Sequence, residues 1–169
     1  NRLLGIFELS EPTAINFSDW VVVLDAVQAP GNLGTIIRLC DWFGVAHLVC
    51  SPDTVDCYNH KVLQATMGSI ARVNIVYTDI TALLEENKSV AYGTYMNGNS
   101  VYSTNLPEKG LLILGNEGKG ISDKAGLLID HENRISIPQY GKKTTESLNV
   151  ATATAIFLSE IRRDNSSTI

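Results

Sequence analysis

Short, wholly apolar runs alternate along this chain with segments whose apolar residues recur at helical spacing. The runs at 21–24 and 111–114 are short and entirely apolar, as expected for strands buried on both faces of a sheet. Further strands follow, and in the last of them Ile135 and Ile137 alternate with polar neighbours. These strands are predicted at 47–50, 74–77, 90–94 and 135–137.

Helical periodicity predicts a helix after most of these strands. The first covers residues 33–44, where apolar side chains recur every three or four positions. Asn32 is a typical N-cap for this helix, and Gly44 is a typical C-terminal stop. Further helices are predicted at 59–67, at 80–87, at 122–128, and from near Ser147 to Arg163.

Strands that alternate with helices along the whole chain predict an α/β fold, in which a parallel sheet carries helices on both faces. The length of 169 residues and the hydrophobic fraction of 44% fit one compact domain with a proper core. Sheets of this kind bind ligands at the carboxyl ends of their strands. The loops that follow the strands are therefore the candidates for chemistry.

The net charge of −5 argues against a general nucleic-acid binder, since such proteins usually carry a basic excess. A polyanionic partner would have to meet local basic patches. The pairs Lys142-Lys143 and Arg162-Arg163 are small basic clusters of the kind that more often form solvated faces.

Nothing in the sequence predicts a membrane or a metal partner. No apolar run approaches the roughly 20 residues that cross a bilayer, and no basic-then-apolar leader opens the chain. Cys40, Cys50 and Cys57 lack metal-type spacing, and the histidines are scattered, so we expect reduced thiols in a cytoplasmic protein. The chain starts at Asn1, which suggests a fragment of a longer protein with an upstream domain.

Three loops, at 28–32, 115–120 and 139–149, follow strands and should meet at one edge of the sheet. Together they bring in more polar side chains than a packed core would hold. These side chains are Asn32, Arg38, Asn116, Glu117, Ser147 and Asn149.

Each feature also has an ordinary structural interpretation. The glycines of 115–120 fit neither a Walker A motif nor a GxGxxG motif, and they allow either close approach to a ligand or a tight turn. Ser147 and Asn149 either cap the last helix or face a ligand. Arg38 is either a solvated surface arginine or a member of the site.

The polar positions fall into three motifs. In order, they are Asn32-x-Gly34-x-x-x-Arg38 with Phe43-Gly44, Leu114-Gly-Asn-Glu-Gly-x-Gly-Ile121, and Ile137-Pro138 with Ser147-Leu-Asn-Val150. In order and separation they closely resemble the motifs of the SpoU (TrmH-like) family of RNA 2′-O-ribose methyltransferases. The resemblance covers residues 32–150, which is most of the chain.

The resemblance implies the SPOUT α/β knot, in which the C-terminal segment is threaded through a loop to form a trefoil knot. Such knots are rare exceptions to the rule of unknotted chains. It also implies S-adenosylmethionine as cofactor, structured ribosomal or transfer RNA as substrate, and a homodimer. Residues 1–169 would then be a catalytic domain that lacks an N-terminal RNA-binding extension.

Motif positions imply roles for particular residues. The cofactor would touch Thr94, Gly115, Ile137 and Leu148, largely through backbone groups. The reactive cluster would comprise Arg38, Asn32, Glu117, Ser147 and Asn149. Of these, Arg38 would stabilise charge on the attacking oxygen or act as a base, although a guanidinium is a reluctant base.

Other roles implied by the resemblance are less specific. Asn32, Ser147 and Asn149 would orient RNA and backbone, and Glu117 would hold Arg38 or its surroundings. The last helix would lie in or near a dimer interface, where its alanines at 151, 153 and 155 permit close packing.

The chain departs from the usual family pattern after the last strand. The segment between Gly141 and Ser147 is longer than usual, and Gln139 replaces a methionine, so the loop at 139–145 over the cofactor should differ in shape. Two alternative functions stay open. One is an RNA-binding or assembly module without catalysis, and the other is a nucleotide-dependent enzyme, which the missing Walker A motif disfavours.

Overall fold

A computed structural model of the chain describes residues 6, 8, 9, 11–141 and 147–163. These residues form a six-stranded sheet flanked by helices. The strands are β1 (Val21–Leu24), β2 (His47–Cys50), β3 (Asn74–Tyr77), β4 (Ala91–Ser100), β5 (Leu111–Leu114) and β6 (Arg134–Ser136). The helices are α1 (Pro30–Trp42), α2 (His60–Thr66), α3 (Ile80–Glu86), α4 (Asp123–Leu127) and α5 (Val150–Arg162).

The strands follow the order β3-β2-β1-β5-β4-β6, and each neighbouring pair is parallel. The predicted parallel sheet is therefore confirmed. From β1 the chain moves outward to β3 and then returns on the other side, so the direction of winding reverses between β1 and β5. Loops at such a reversal point leave a crevice at the carboxyl ends of the strands.

Helices cover both faces of the sheet, as predicted. On one face, buried residues of α1, α2 and α5, such as Ile36 and Leu158, pack against Val22 of β1. On the other face, Ile80 of α3 and Ala125 of α4 belong to a second buried cluster. Because successive residues of a strand point to opposite faces, the wholly apolar strands serve both clusters.

The apolar strands lie where the sequence predicts them, but β4 does not end at residue 94. It continues to Ser100 and pairs with β6 through a register shift between Thr94 and Asn99. A side chain at Gly98 would meet the Arg134 carbonyl oxygen at 2.5 Å, so the strands approach too closely there for any residue but glycine. The predicted end of this strand at residue 94 is therefore wrong.

The helix ends correct two further predictions. Asn32 is not an N-cap, because α1 begins at Pro30 with Ala29 as N-cap, and proline suits the first helical turn. The stop at Gly44 is confirmed, since it has a φ of 67° and follows the helix. The last helix begins at Val150 and ends at Arg162, somewhat inside the predicted limits of Ser147 and Arg163.

Residues 142–146 lie outside the described residues, so the basic pair at 142–143 and most of the longer loop do too. The trefoil knot stays a prediction. All three cysteines are buried and free, and burial raises the pKa of the Cys40 thiol to about 12. Within the described ranges, no helix has the length and apolar character needed to cross a membrane.

Candidate functional site

The second half of β4 and the loops after β5 and β6 line a cavity of about 610 Å³ together with the start of α5. The lining comes from the segments 94–97, 114–121 and 137–139 and from positions within 147–157. All four residues that the resemblance assigns to the cofactor line this cavity. They are Thr94, Gly115, Ile137 and Leu148.

The walls of the cavity are apolar with a few polar groups between them. Leu114, Ile137 and Phe157 contribute apolar surface, whereas Asn97 and Ser147 contribute polar atoms. The volume lies within the range of small-molecule sites, which combine these features. A ligand with a flat heterocycle and a polar tail would therefore find both kinds of contact in this cavity.

The glycine-rich loop after β5 is a tight turn. Asn116 and Gly120 exchange two backbone hydrogen bonds of 2.9 Å, and Gly120 has a φ of 73°. A Cβ on Gly115 would lie 2.0 Å from the Gly120 carbonyl carbon, so no side chain fits there. The structural interpretation of these glycines is confirmed, and the resulting turn forms one wall of the cavity.

Asn116 ties this turn to the end of β1. Its Nδ2 donates to the Ala26 carbonyl oxygen (2.7 Å), and its Oδ1 accepts from the backbone N–H groups of Gly118 and Lys119 (3.0 Å each). Ala26 itself has a φ of 56°, in a region that residues with a Cβ rarely occupy. Its N–H donates to Ser51 Oγ (2.8 Å). The sequence gives no signal for this strained alanine.

Three of the predicted reactive residues form one hydrogen-bonded chain. Asn149 Nδ2 donates to Asn32 Oδ1 (2.9 Å), and Asn32 Nδ2 donates to Glu117 Oε1 (2.9 Å). Asn149 also caps α5, because its Oδ1 accepts from the N–H groups of residues 151 and 152. Asn149 therefore both caps the helix and joins the site, which the sequence had presented as alternatives.

Glu117 is held as a carboxylate. Burial alone would raise its pKa, but hydrogen bonds from Asn32 and from backbone N–H groups outweigh burial and lower the pKa below its usual value. Two of these N–H groups belong to Gln28 and Ala29, at the start of α1 (3.5 Å and 3.3 Å). An ionised carboxylate only accepts hydrogen bonds, so Glu117 anchors the site and does not supply a proton at neutral pH.

The structure does not bring Arg38 to this cluster. Ser147 lines the cavity, whereas Arg38 is exposed on α1 and does not line it. Within the described part of the chain, Arg38 forms no ion pair with Glu117. A single protomer thus assembles Asn32, Glu117 and Asn149 beside the cavity. Its Arg38 lies outside this cluster.

Among the residues that the structure describes, no group of three or more His, Cys, Asp or Glu side chains could hold a metal ion. The candidate site is therefore built from amide, carboxylate and backbone groups around an apolar cavity.

Comparisons with known proteins point to one family. Residues 19–159 match the sequence model of the SpoU rRNA Methylase family. The 23S rRNA (guanosine(2553)-2′-O)-methyltransferase RlmP of Bacillus subtilis is 37% identical over 147 residues, which are 84% of this chain and 57% of the relative. The chain thus spans little more than half the length of this relative.

Solved structures agree with the sequence match. A TrmH-family protein from Porphyromonas gingivalis has a TM-score of 0.82 and 40% identity, over 92% of this chain and 62% of that one. The AdoMet-bound rRNA methyltransferase from Sinorhizobium meliloti has a TM-score of 0.77 and 30% identity, over 88% of this chain and 57% of that one.

Proposed function

Because this chain belongs to the SpoU rRNA methylase family, we propose that it transfers a methyl group from S-adenosylmethionine to a ribose 2′-hydroxyl of structured RNA. The observation that carries the proposal is the cavity, whose lining includes Thr94, Gly115, Ile137 and Leu148. Named relatives act on ribosomal RNA, and we propose ribosomal or transfer RNA as the substrate class. We also propose that the protein works in the cytoplasm.

The residues of the cavity fit the cofactor. Apolar side chains such as Ile137 and Leu148 would pack against the adenine ring, and the backbone of the turn at Gly115 would meet its polar groups. S-adenosylmethionine, when bound, supplies a methyl group carried on a positively charged sulfur. No carboxylate other than that of Glu117 lines the described part of the cavity.

The hydrogen-bonded chain of Asn149, Asn32 and Glu117 would position the ribose. A 2′-hydroxyl is a poor nucleophile, so most of the rate enhancement must come from alignment and from stabilising charge on its oxygen. The Glu117 carboxylate fixes the Asn32 amide, which in turn fixes Asn149. Amides held in this way need not reorganise when the substrate binds.

Arg38 would stabilise the developing negative charge, and we propose that it does so in the site of a second protomer. This chain leaves Arg38 exposed and outside its own cavity. A two-fold dimer that places α5 in or near the interface would share the RNA site between protomers. The exposed or half-buried positions of α5, such as Thr152, Ala155 and Ser159, are small enough for close packing.

Titration with S-adenosylmethionine tests the cavity. Leu148→Ala should weaken binding by about tenfold, because the ligand loses apolar contact. Leu127→Ala is the matched control, since Leu127 is exposed on α4 and does not line the cavity. Absence of binding by the unaltered protein would refute the cofactor assignment. Binding without turnover on ribosomal or transfer RNA would favour the non-catalytic alternative.

Mixing two inactive variants tests the shared site. Arg38→Ala removes the cation, and Leu148→Arg blocks the cavity against a cationic ligand. In mixed dimers, an intact Arg38 from one protomer would meet an intact cavity in the other, and activity should return to about a quarter of the original. If Arg38 serves its own cavity, the mixture stays inactive. A monomer by light scattering at micromolar concentration would contradict the dimer.

A further inference from the structure

A segment before β1 crosses the amino edge of the sheet, at the end of the strands opposite the cavity. In residues 13–17, here called the strap, half-buried side chains alternate with exposed ones. The half-buried side chains, Ile15 and Phe17, pack against the second buried cluster, on the face of α3 and α4. Hydrogen bonds also hold the strap to His47 and Asn74, the first residues of β2 and β3.

The strap fixes the orientation of the Asn74 amide. Asn74 Oδ1 accepts from the Thr13 N–H (2.9 Å), and Asn74 Nδ2 donates to the Thr13 carbonyl oxygen (2.9 Å). The opposite orientation of the amide would place donor against donor and acceptor against acceptor. Asn74 Nδ2 therefore also faces His47, at 3.0 Å from its Nδ1.

Both ring nitrogens of His47 consequently face donors. Nδ1 faces the Asn74 amide nitrogen, and Nε2 accepts from the Asn16 N–H (3.2 Å). A neutral imidazole has one nitrogen with a free lone pair, so it accepts one of these two hydrogen bonds. An imidazolium carries a proton on each nitrogen and accepts neither. Protonation of His47 would therefore break the contact between the strap and β2.

Charged side chains on the neighbouring segments do not offset this loss. Burial alone lowers the pKa of His47 below its ordinary value of 6.5. The neighbouring charged groups are Glu11 and Asp19 beside the strap, Asp41 on α1 and Arg72 before β3. None of them contributes to the shift in the pKa of His47. Arg72 instead pairs with Asp41 (2.6 Å).

We propose that His47 is a pH-dependent switch, whose neutral ring holds the strap on the amino edge of the sheet and whose protonated ring releases it. Histidine suits this task because its charge changes between about pH 5 and pH 8. Release would expose the apolar surface that Ile15 and Phe17 cover. The switch goes beyond the proposed methyl transfer, since no strap residue lines the cavity.

Amide hydrogen exchange of the strap tests the switch. Between about pH 7.5 and pH 5, the protection factor of the Asn16 N–H should fall about tenfold, as expected for the loss of one hydrogen bond. Protection factors are used because intrinsic exchange rates also depend on pH. In His47→Gln, the protection factor should not change over this range, because the side chain no longer titrates.

His60→Gln is the matched control, since His60 is exposed and makes none of the hydrogen bonds to the strap. This variant should lose protection at the same pH as the unaltered protein. A constant protection factor in the unaltered protein would overturn the proposal. So would an equal fall in His47→Gln.

A second variant tests the role of the Asn74 amide. A carboxylate only accepts hydrogen bonds, so Asn74→Asp should stabilise the protonated ring and raise the pKa of His47 above 6.5. The protection of the strap should then be lost at a higher pH than in the unaltered protein. NMR titration of the histidine rings measures the pKa, and hydrogen exchange measures the protection. An unaltered protein whose His47 pKa lies at or above 6.5, or an unchanged midpoint in Asn74→Asp, would overturn the proposal.

Discussion

Glu117 links two loops through its charge, so its contribution to stability should depend on pH. Its pKa is lower in the folded protein than the ordinary value of 4.5, mainly because Asn32 and backbone N–H groups overcome the effect of burial. A lowered carboxylate pKa adds stability that is complete above the unfolded pKa and is lost as the pH falls through the folded pKa.

We therefore expect Glu117→Gln to lower the free energy of unfolding by about 0.5–1 kcal/mol at pH 7, a small value because the side chain is largely exposed. The difference from the unaltered protein should shrink below about pH 4.5. Urea denaturation at pH 7 and pH 4 measures it. Glu108→Gln, at an exposed site before β5, should show no such difference. If the loss of unfolding free energy in Glu117→Gln grew towards acid pH, this would contradict a lowered pKa of Glu117 in the folded protein.

Ala26 shows backbone strain at a single residue beside the site. Its φ of 56° costs about 1–2 kcal/mol for a residue with a Cβ, while glycine loses about 0.5–1 kcal/mol more backbone entropy on folding. Ala26→Gly should therefore raise the free energy of unfolding by about 0.5 kcal/mol. Thermal denaturation of Ala26→Gly and of the unaltered protein measures this difference in stability. Ala71→Gly, where φ is not positive, should instead destabilise the protein, and equal losses at both positions would argue against strain.

Between elements, the close approach of α1 to α2 explains one of the motif glycines. A Cβ on Gly34 would lie 2.5 Å from Ala65 Cβ and 2.7 Å from the Val62 carbonyl oxygen. Gly34→Ala should cost about 1–3 kcal/mol of stability through overpacking. Gly31→Ala, in the same helix with no atom within 4 Å, should be neutral or slightly stabilising because alanine favours helices. A neutral Gly34→Ala would mean that the helices move apart freely.

Strands and helices whose residues all favour one kind of structure could be predicted from the sequence. The apolar strands β1 and β5 have the predicted limits, because burial on both faces leaves only apolar residues there. The end of β4 was not predictable, since Gly98 and its polar neighbours favour a loop and only the pairing with β6 keeps them in a strand. Pro30 likewise starts α1 earlier than the amide of Asn32 suggested.

Part of the hydrogen-bonded cluster beside the cavity could be predicted from the sequence, whereas its arrangement could not. The sequence motifs place Asn32, Glu117 and Asn149 in one cluster, and the structure joins them by hydrogen bonds. Position along the chain could not reveal that Arg38 lies outside the cavity, because that depends on how α1 is rotated against its neighbours. The positive φ of Ala26 could not be predicted, because alanine is not a residue type associated with positive φ.

At the scale of the whole molecule, net charge should limit how strongly salt affects RNA binding. Each contacted phosphate of a single strand contributes about −0.7 to the slope of log affinity against log salt concentration. The cations expected near the site are few. They are Arg38, Lys119, Lys142 and Lys143.

With a net charge of −5 and about four phosphate contacts, the chain should give a slope no steeper than about −3. Titrating one single-stranded oligoribonucleotide at several salt concentrations measures this slope. Lys119→Ala, at the cavity, should reduce its magnitude by about 0.7. Lys88→Ala, exposed before β4 and so at the opposite edge of the sheet, should leave it unchanged. A slope near −6, or equal effects of the two lysines, would mean that RNA covers a much wider surface than the carboxyl edge of the sheet.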